Sequence, residues 1–257
     1  MSPKRNYESA EIFGVKVASI SLDQLVEEIE FALKNHSTLT YRAVDPNKLN
    51  LAASKKDLRD LYDSFDLVTP DSIGTLLAAK MLGKELGGER VSGDLLAPRL
   101  YRLAREKEIK FYFLGGEKGK AEKAKETLKH SYPWLEIVGT HHGYFEIQGE
   151  ESEGVVREIK ERDPDVIFVG MGSPKEEKWI VKNEERLRGK VFIPTGAYFD
   201  MAAENPNCYP DWAYKYKLNW LYRMLREPAR LAPRYLIGLP LFFARVLRQR
   251  LQRAFEN

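Results

Sequence analysis

Cysteine is nearly absent from this 257-residue chain, where Cys208 stands alone. One thiol closes no internal disulfide, so packing must hold the fold, and the composition fits a reducing compartment. Long apolar runs are missing too. No stretch reaches the ~20 residues that cross a bilayer, and the opening residues, Met1 to Tyr7, lack the apolar core of a signal peptide. The expectation is a protein that does not span the membrane. Internal repeats and glycine- or serine-rich linkers are also lacking. Lysine disappears after Lys217: from Leu218 to Asn257 eight arginines face two acids, a net of +6. With the whole chain at +3, the remainder carries −3. A near-neutral body thus bears an arginine-only tail, which calls for an anionic partner such as phospholipid or diphosphate.

What is present is a globular composition, 43% hydrophobic and 31% charged, that can bury a sizeable core. Short apolar runs alternate with helical patterns. Glu11 to Ile20 reads as a strand or hairpin. Ser21 with Gln24 forms a capping box for a helix whose Leu22, Leu25, Val26, Ile29 and Leu33 share a face. Strand-like runs follow at Leu39 to Val44, Asp66 to Thr69, Lys110 to Leu114, Leu135 to Gly139, Val166 to Gly170 and Val191 to Pro194. Most lead through a turn into ten or more residues of helical pattern. This predicts an α/β fold: a Rossmann-like, mostly parallel sheet flanked by helices. The Pro/Asn-rich stretch Glu204 to Pro210 marks the boundary between a body, 1–205, and a basic amphipathic helical appendage, 206–257.

Ligands of such sheets bind beyond the carboxyl ends of the strands, where helix N-termini offer N–H groups to anions. Two strand–glycine–helix junctions stand there: Gly115-Gly116 after one strand, and Gly170-Met171-Gly172-Ser173-Pro174 before Lys175 and Glu176 after another. Glycine lets backbone approach a phosphate, although such turns also arise for steric reasons alone. Together they favour a nucleoside-diphosphate ligand. Asp71, after Asp66 to Pro70, reads either as a helix N-cap or as a carboxylate placed to act as general base. Asp45 carries the same two readings. Arg90 is either a surface ion pair or a phosphate clamp. His141 and His142 open a loop; with no third ligand at metal spacing they read as solvent or substrate contacts, and no metal site is expected. The Asp163-Pro164-Asp165 pair sits at the amino end of its strand, the wrong edge for chemistry.

In the tail, Arg223, Arg226, Arg230 and Arg234 would share one arc of a continuous helix, though Pro228 and Pro233 must bend it. Converging guanidiniums suit two phosphates. Beyond them Leu239, Phe243, Val246, Leu247 and Leu251 recur at helical spacing among further arginines, which reads as a segment lying in a membrane surface. The other reading is a helix packed on the body or on a second copy of the chain. Nucleic acid is disfavoured because the body has no basic stripe.

Several ordered motifs are similar to those of the WecG/TagA/CpsF family of bacterial glycosyltransferases: Asp66-Leu67-Val68-Thr69-Pro70-Asp71 with Gly74; Arg90 with Gly93-Asp94-Leu95; Leu114-Gly115-Gly116; Gly139-Thr140-His141-His142-Gly143-Tyr144-Phe145; Gly170-Met171-Gly172-Ser173-Pro174-Lys175; Phe199-Asp200; and Trp220-Leu221-Tyr222-Arg223 with Glu227-Pro228 and Arg230. The resemblance spans roughly residues 12 to 235. It implies inverting transfer of a sugar, N-acetylmannosamine or its uronic acid, from a UDP-sugar to a polyprenyl-diphosphate-linked sugar in cell-surface polysaccharide synthesis. It also implies no cofactor or metal, and a peripheral position on the cytoplasmic face of the membrane. By the resemblance Asp71 is the base, and Arg223, Arg226, Arg230 and Arg234 lie near the diphosphate. The donor and acceptor pockets would then draw on Asp45, Arg90, Gly115, Gly116, His142, Gly170, Gly172, Lys175 and Glu176.

The chain departs from the family pattern in places. Ala43-Val44-Asp45 replaces Thr-x-Asn, Ser72 replaces a glycine, and Glu176 replaces a glutamine. Glu204 and Cys208-Tyr209-Pro210 stand where Gly and Arg-Ala-Pro are usual. Three of these changes add acid, which argues for a neutral hexose or N-acetylhexosamine donor. Two other classes stay open. A nicotinamide-dependent oxidoreductase would need G-x-G-x-x-G after the first strand, where Ile20-Ser21-Leu22 stands instead. A non-catalytic membrane-surface scaffold would leave the tail as the function.

Overall fold

A computed structural model describes residues 7–87 and 89–256. The chain opens with a hairpin, β1 (Ser9–Ile12) and β2 (Val15–Ala18), and helix α1 (Leu22–Lys34). The main unit follows as β3 (Leu39–Val44), α2 (Pro46–Ser54), α3 (Lys56–Asp63), β4 (Leu67–Pro70), α4 (Ile73–Met81), α5 (Gly93–Lys107), β5 (Lys110–Gly115) and α6 (Lys120–Ser131). It continues with β6 (Glu136–His141), α7 (Glu150–Arg162), β7 (Val166–Gly170), α8 (Lys175–Asn183), β8 (Val191–Pro194) and α9 (Tyr198–Ala202). The last segment holds α10 (Asp211–Lys215), α11 (Asn219–Arg226), α12 (Pro228–Pro233), a π-helical turn (Arg234–Gly238) and α13 (Leu239–Glu256).

The six strands β3 to β8 form one sheet in the order β4-β3-β8-β7-β5-β6, with every neighbouring pair parallel. Parallel pairing puts all six carboxyl ends on one edge. Alternation along the strands feeds two cores. Phe111, Phe113, Val166 and Phe168 face one helical layer with Leu25, Ile29 and Leu100. Tyr112, Leu114, Ile167 and Val169 face the other with Leu49, Trp179 and Ile180. A strand buried on both faces reads as the near-continuous apolar run seen in the sequence.

The hairpin forms its own two-stranded sheet. Phe13 and Gly14 turn it with φ of 55° and 81°, a two-residue connection that matches strand twist. Helix α13 clasps this tip. Phe242 packs edge-on to Phe13 at 5.6 Å, and the Phe13 N–H donates to Gln249 Oε1 at 3.1 Å. Phe242 and Val246 are fully buried among the same side chains that cover the sheet. The C-terminal helix therefore packs on the body, while Leu241, Leu247, Leu251 and Phe255 remain exposed. Among the described residues no helix is long and apolar enough to cross a membrane.

Candidate active site

Each strand end carries one element of the site. After β4, Ser72 rather than Asp71 caps the next helix: its hydroxyl accepts from the Thr75 N–H while its backbone is extended. Extended backbone needs no glycine, so the Ser72 departure is accommodated. Asp71 is thereby relieved of capping. Its own N–H donates to Val44 O at 2.9 Å, its carboxylate lies 3.4 Å from Lys48 Nζ, and its side chain is 28% exposed.

After β3, Asp45 does two jobs. One carboxylate oxygen caps α2 by accepting from the N–H groups of Asn47 and Lys48. The other meets Arg234 Nη2 at 2.5 Å. Burial alone raises the affinity of Asp45 for a proton. Arg234 and Lys48 outweigh burial, and the carboxyl falls well below the usual range. Arg90 pairs with Asp94 at 3.2 Å, and Asn219 of α11 donates to the same carboxylate at 3.3 Å. These contacts tie the appendage to the body beside Asp71.

The four tail arginines divide. The non-helical backbone at Glu227 interrupts the helix, and the wider π-helical turn then shifts the register, so the continuous arc is lost. Arg223 and Arg234 turn inward, and both guanidiniums, like that of Arg90, lie within the electrostatic reach of Asp71. Arg223 Nε is buried with no hydrogen-bond partner among the described residues. Arg226 and Arg230 turn outward, are exposed, and pair with Glu204 and Glu227.

The glycine junctions differ from expectation. Both were expected to present free amides to a phosphate. Instead the Gly116 N–H donates to Gly170 O at 2.9 Å, and the Gly172 N–H donates to Glu176 Oε2 at 3.1 Å. The steric reading explains two of them. A Cβ on Gly115 would sit 2.4 Å from Gly170 O, and one on Gly170 would sit 2.7 Å from Gly196 O. Gly172, at φ 79°, has open space where a Cβ would stand, so its conformation rather than crowding calls for glycine.

Glu176 does not reach the cleft. It is 1% exposed, bonds Arg42 Nη1 at 2.6 Å, and holds the N–H groups of both Gly172 and Gly196 at 3.1 Å. Glu177 meets Arg42 Nη2 at 2.6 Å. Burial and the neighbouring Glu177 raise Glu176 despite Arg42. Lys175 reaches the other side, donating to Gly143 O at 3.0 Å with its ammonium 5.5 Å from the Phe145 ring centre. His142 stands at the far end of the same edge, beyond β6.

The three added acids each meet an arginine: Asp45 with Arg234, Glu176 with Arg42, Glu204 with Arg226. Each is paired within the protein, the first two largely away from solvent and Glu204 on the surface, so they give no basis for rejecting an anionic donor. Lys48, which links Asp45 to Asp71, escaped the sequence reading; its signal was its position three residues after a cap. The glycine fingerprint of nicotinamide binding is absent from the first strand of the main sheet, since β3 leads into Asp45-Pro46-Asn47.

A carboxylate spared from capping, within the electrostatic reach of three guanidiniums at the carboxyl edge of a parallel sheet, suits an enzyme that transfers a group from a phosphorylated donor. Comparison narrows the class. The sequence model of the Glycosyl transferase WecG/TagA/CpsF family matches residues 10–256, and the chain belongs to that family. It is similar to the N-acetylglucosaminyldiphosphoundecaprenol N-acetyl-beta-D-mannosaminyltransferases of Staphylococcus aureus strains MRSA252, MW2 and NCTC 8325. Each is 29% identical over 245 residues, covering 95% of this chain and 94% of the relative. The protein is a glycosyltransferase.

Proposed function

We propose that this glycosyltransferase moves an N-acetylhexosamine, N-acetylmannosamine foremost, from a UDP-sugar to a polyprenyl-diphosphate-linked sugar, with inversion and without a metal at the reacting centre. One observation carries the reading: Asp71 is spared from capping and lies within reach of Arg90, Arg223 and Arg234. In the reaction the acceptor hydroxyl attacks the anomeric carbon, Asp71 takes the hydroxyl proton, and the bond to the diphosphate breaks through an oxocarbenium-like state. Lys48 orients the carboxylate. Because the Gly116 and Gly172 amides are already bonded within the protein, the diphosphates of donor and acceptor fall to the arginines, above all the Nε of Arg223, unpartnered among the described residues. The S. aureus relatives, whose names give an undecaprenyl-diphosphate acceptor, support this assignment.

The appendage brings the protein to the lipid. Leu236 and Ile237 are 71% and 69% exposed beside Leu241, Leu251 and Phe255, with arginines interspersed. Such a ridge suits the interface of an anionic membrane at its cytoplasmic face.

A donor panel with a short-chain lipid-diphosphate acceptor and mass detection of the product tests the proposal. It expects UDP-N-acetylmannosamine to give the fastest transfer, and uridine diphosphate to raise the melting temperature more than adenosine diphosphate or NAD. Best stabilisation by NAD, with no transfer from any UDP-sugar, would overturn it. Leu236→Glu with Ile237→Glu should release the protein from anionic liposomes; undiminished sedimentation would remove the membrane role. The double variant replaces exposed residues and so spares the buried contacts of α13.

A further inference from the structure

The residues around His142 form an arrangement to which the proposed transfer mechanism gives no role. His141 ends β6, His142 follows it, and the first turn of α7 brings Glu151 to both. Glu151 Oε1 lies 3.1 Å from His142 Nε2 and 3.8 Å from His141 Nε2, and one ligand atom from each of the three side chains falls within 4.8 Å of the others. A tetrahedral ion with ligands at ~2.05 Å separates them by roughly 3.3 Å, so these spacings bracket what a single ion needs. The Nδ1 of His141 lies 2.9 Å from the carbonyl of His142, which can only accept. Nδ1 therefore holds the ring proton, and Nε2 presents its lone pair toward Glu151. This is the second-shell arrangement that orients metal-ligating histidines.

We infer that His141, His142 and Glu151 form a site for a divalent transition-metal ion of the zinc class, with a fourth position open to water. Two imidazoles and a carboxylate suit zinc, cobalt or nickel rather than magnesium or calcium, which prefer oxygen alone. His142 changes tautomer on binding. Its Nδ1 accepts from the Tyr144 N–H at 3.3 Å, so its proton sits on Nε2. The ion takes the place of that proton, which moves through solvent to Nδ1, and the long Tyr144 contact is given up. No net proton is released by the ring.

The site lies at the opposite edge of the sheet from Asp71. β4 and β6 are opposite edges of the sheet, five strand steps apart, or about 24 Å at ~4.8 Å each. The ion would act as a clasp on the loop between β6 and α7. Gly143, next to His142, donates its N–H to Gly116 O at 2.9 Å and accepts from Lys175 Nζ at 3.0 Å. Closing the ring from His142 to Glu151 thus fixes one end of the cleft.

Cobalt titration of the untagged full chain tests this without donor or acceptor, following the visible d–d absorption of the ion, with zinc as competitor. One ion per chain is expected, displaced by zinc and untouched by excess magnesium, with a higher melting temperature when bound. His142→Ala and the exposed Glu151→Gln should each weaken binding by at least about tenfold. His130→Ala, on the exposed end of α6, should leave it unchanged. No saturable binding at about 100 μM ion, equal competition by magnesium, or undiminished affinity in Glu151→Gln would overturn the site. Because Glu151 is on the surface, its variant keeps the test open if the histidine variant fails to fold.

Discussion

Arg42, Glu176 and Glu177 are shut away from water, whereas Asp45, Lys48, Asp71 and Arg234 form a group partly open to it. Both groups pair acids with bases at one edge of one sheet. Their side chains in the first group are at most 2% exposed, against 9–28% in the second. In the sealed group every charge faces an opposite charge, and Glu176 also holds two backbone N–H groups that shape the Gly172 and Gly196 turns. In the open group the Asp71 carboxylate has one ion-pair contact among the described residues, a long one to Lys48. Similar residue types serve shape where water is excluded and chemistry where it is admitted.

The largest expected effect separates the two groups. Arg42→Met leaves two carboxylates buried without a counter-charge and should cost about 3–5 kcal/mol, read as a collapse of the melting temperature or loss of soluble protein. Adding Glu176→Gln and Glu177→Gln removes that uncompensated charge and should recover much of the stability.

Next come the arginines of the cleft. Removing a charge-assisted contact to a diphosphate costs about 1.5–3 kcal/mol, so Arg223→Gln should lower kcat/KM for the lipid acceptor by roughly 10- to 150-fold. Arg230→Ala, whose side chain is exposed and paired with Glu227, should change it by less than about threefold. Equal losses in the two variants would erase the distinction between inward and outward arginines.

The smallest effect lies away from the cleft. Glu184, half-buried near Asp66 and Glu185, has its carboxyl pushed up to about 7 by burial first and then by those two acids. A raised folded-state value means that this residue's stabilising contribution is present below about 4.5, the ordinary glutamate range, and is lost as pH rises through 7. Glu184→Gln should flatten that decline and add about 1 kcal/mol at pH 8 after solvent screening, measured as melting temperature against pH.

The sheet was legible because its strands are buried on both faces. Val166 to Gly170 is apolar throughout, and the strand found there has the same bounds. The capping box at Ser21 and Gln24 was legible because its partners are three residues apart. The ion pairs were not. Arg42 and Glu176 are 134 residues apart, Asp45 and Arg234 are 189, and no local pattern encodes such contacts. Glu176 carried a pocket assignment from its place in a motif, and only the fold reveals that it faces inward. Asp71 could be read as cap or base from sequence; Ser72, the next residue, took the cap. The tail divided because Pro228 starts a new helix, so the arginines could not keep one arc.

The central contrast is tested most directly by measuring transfer rate and melting temperature together on Asp71→Asn. Loss of a general base predicts a fall in kcat of about 10²–10⁴-fold, with donor binding nearly unchanged and the melting temperature within a degree or so of the parent protein. Full activity in that variant, or a loss of activity matched by unfolding, would contradict the assignment of the open cluster to chemistry.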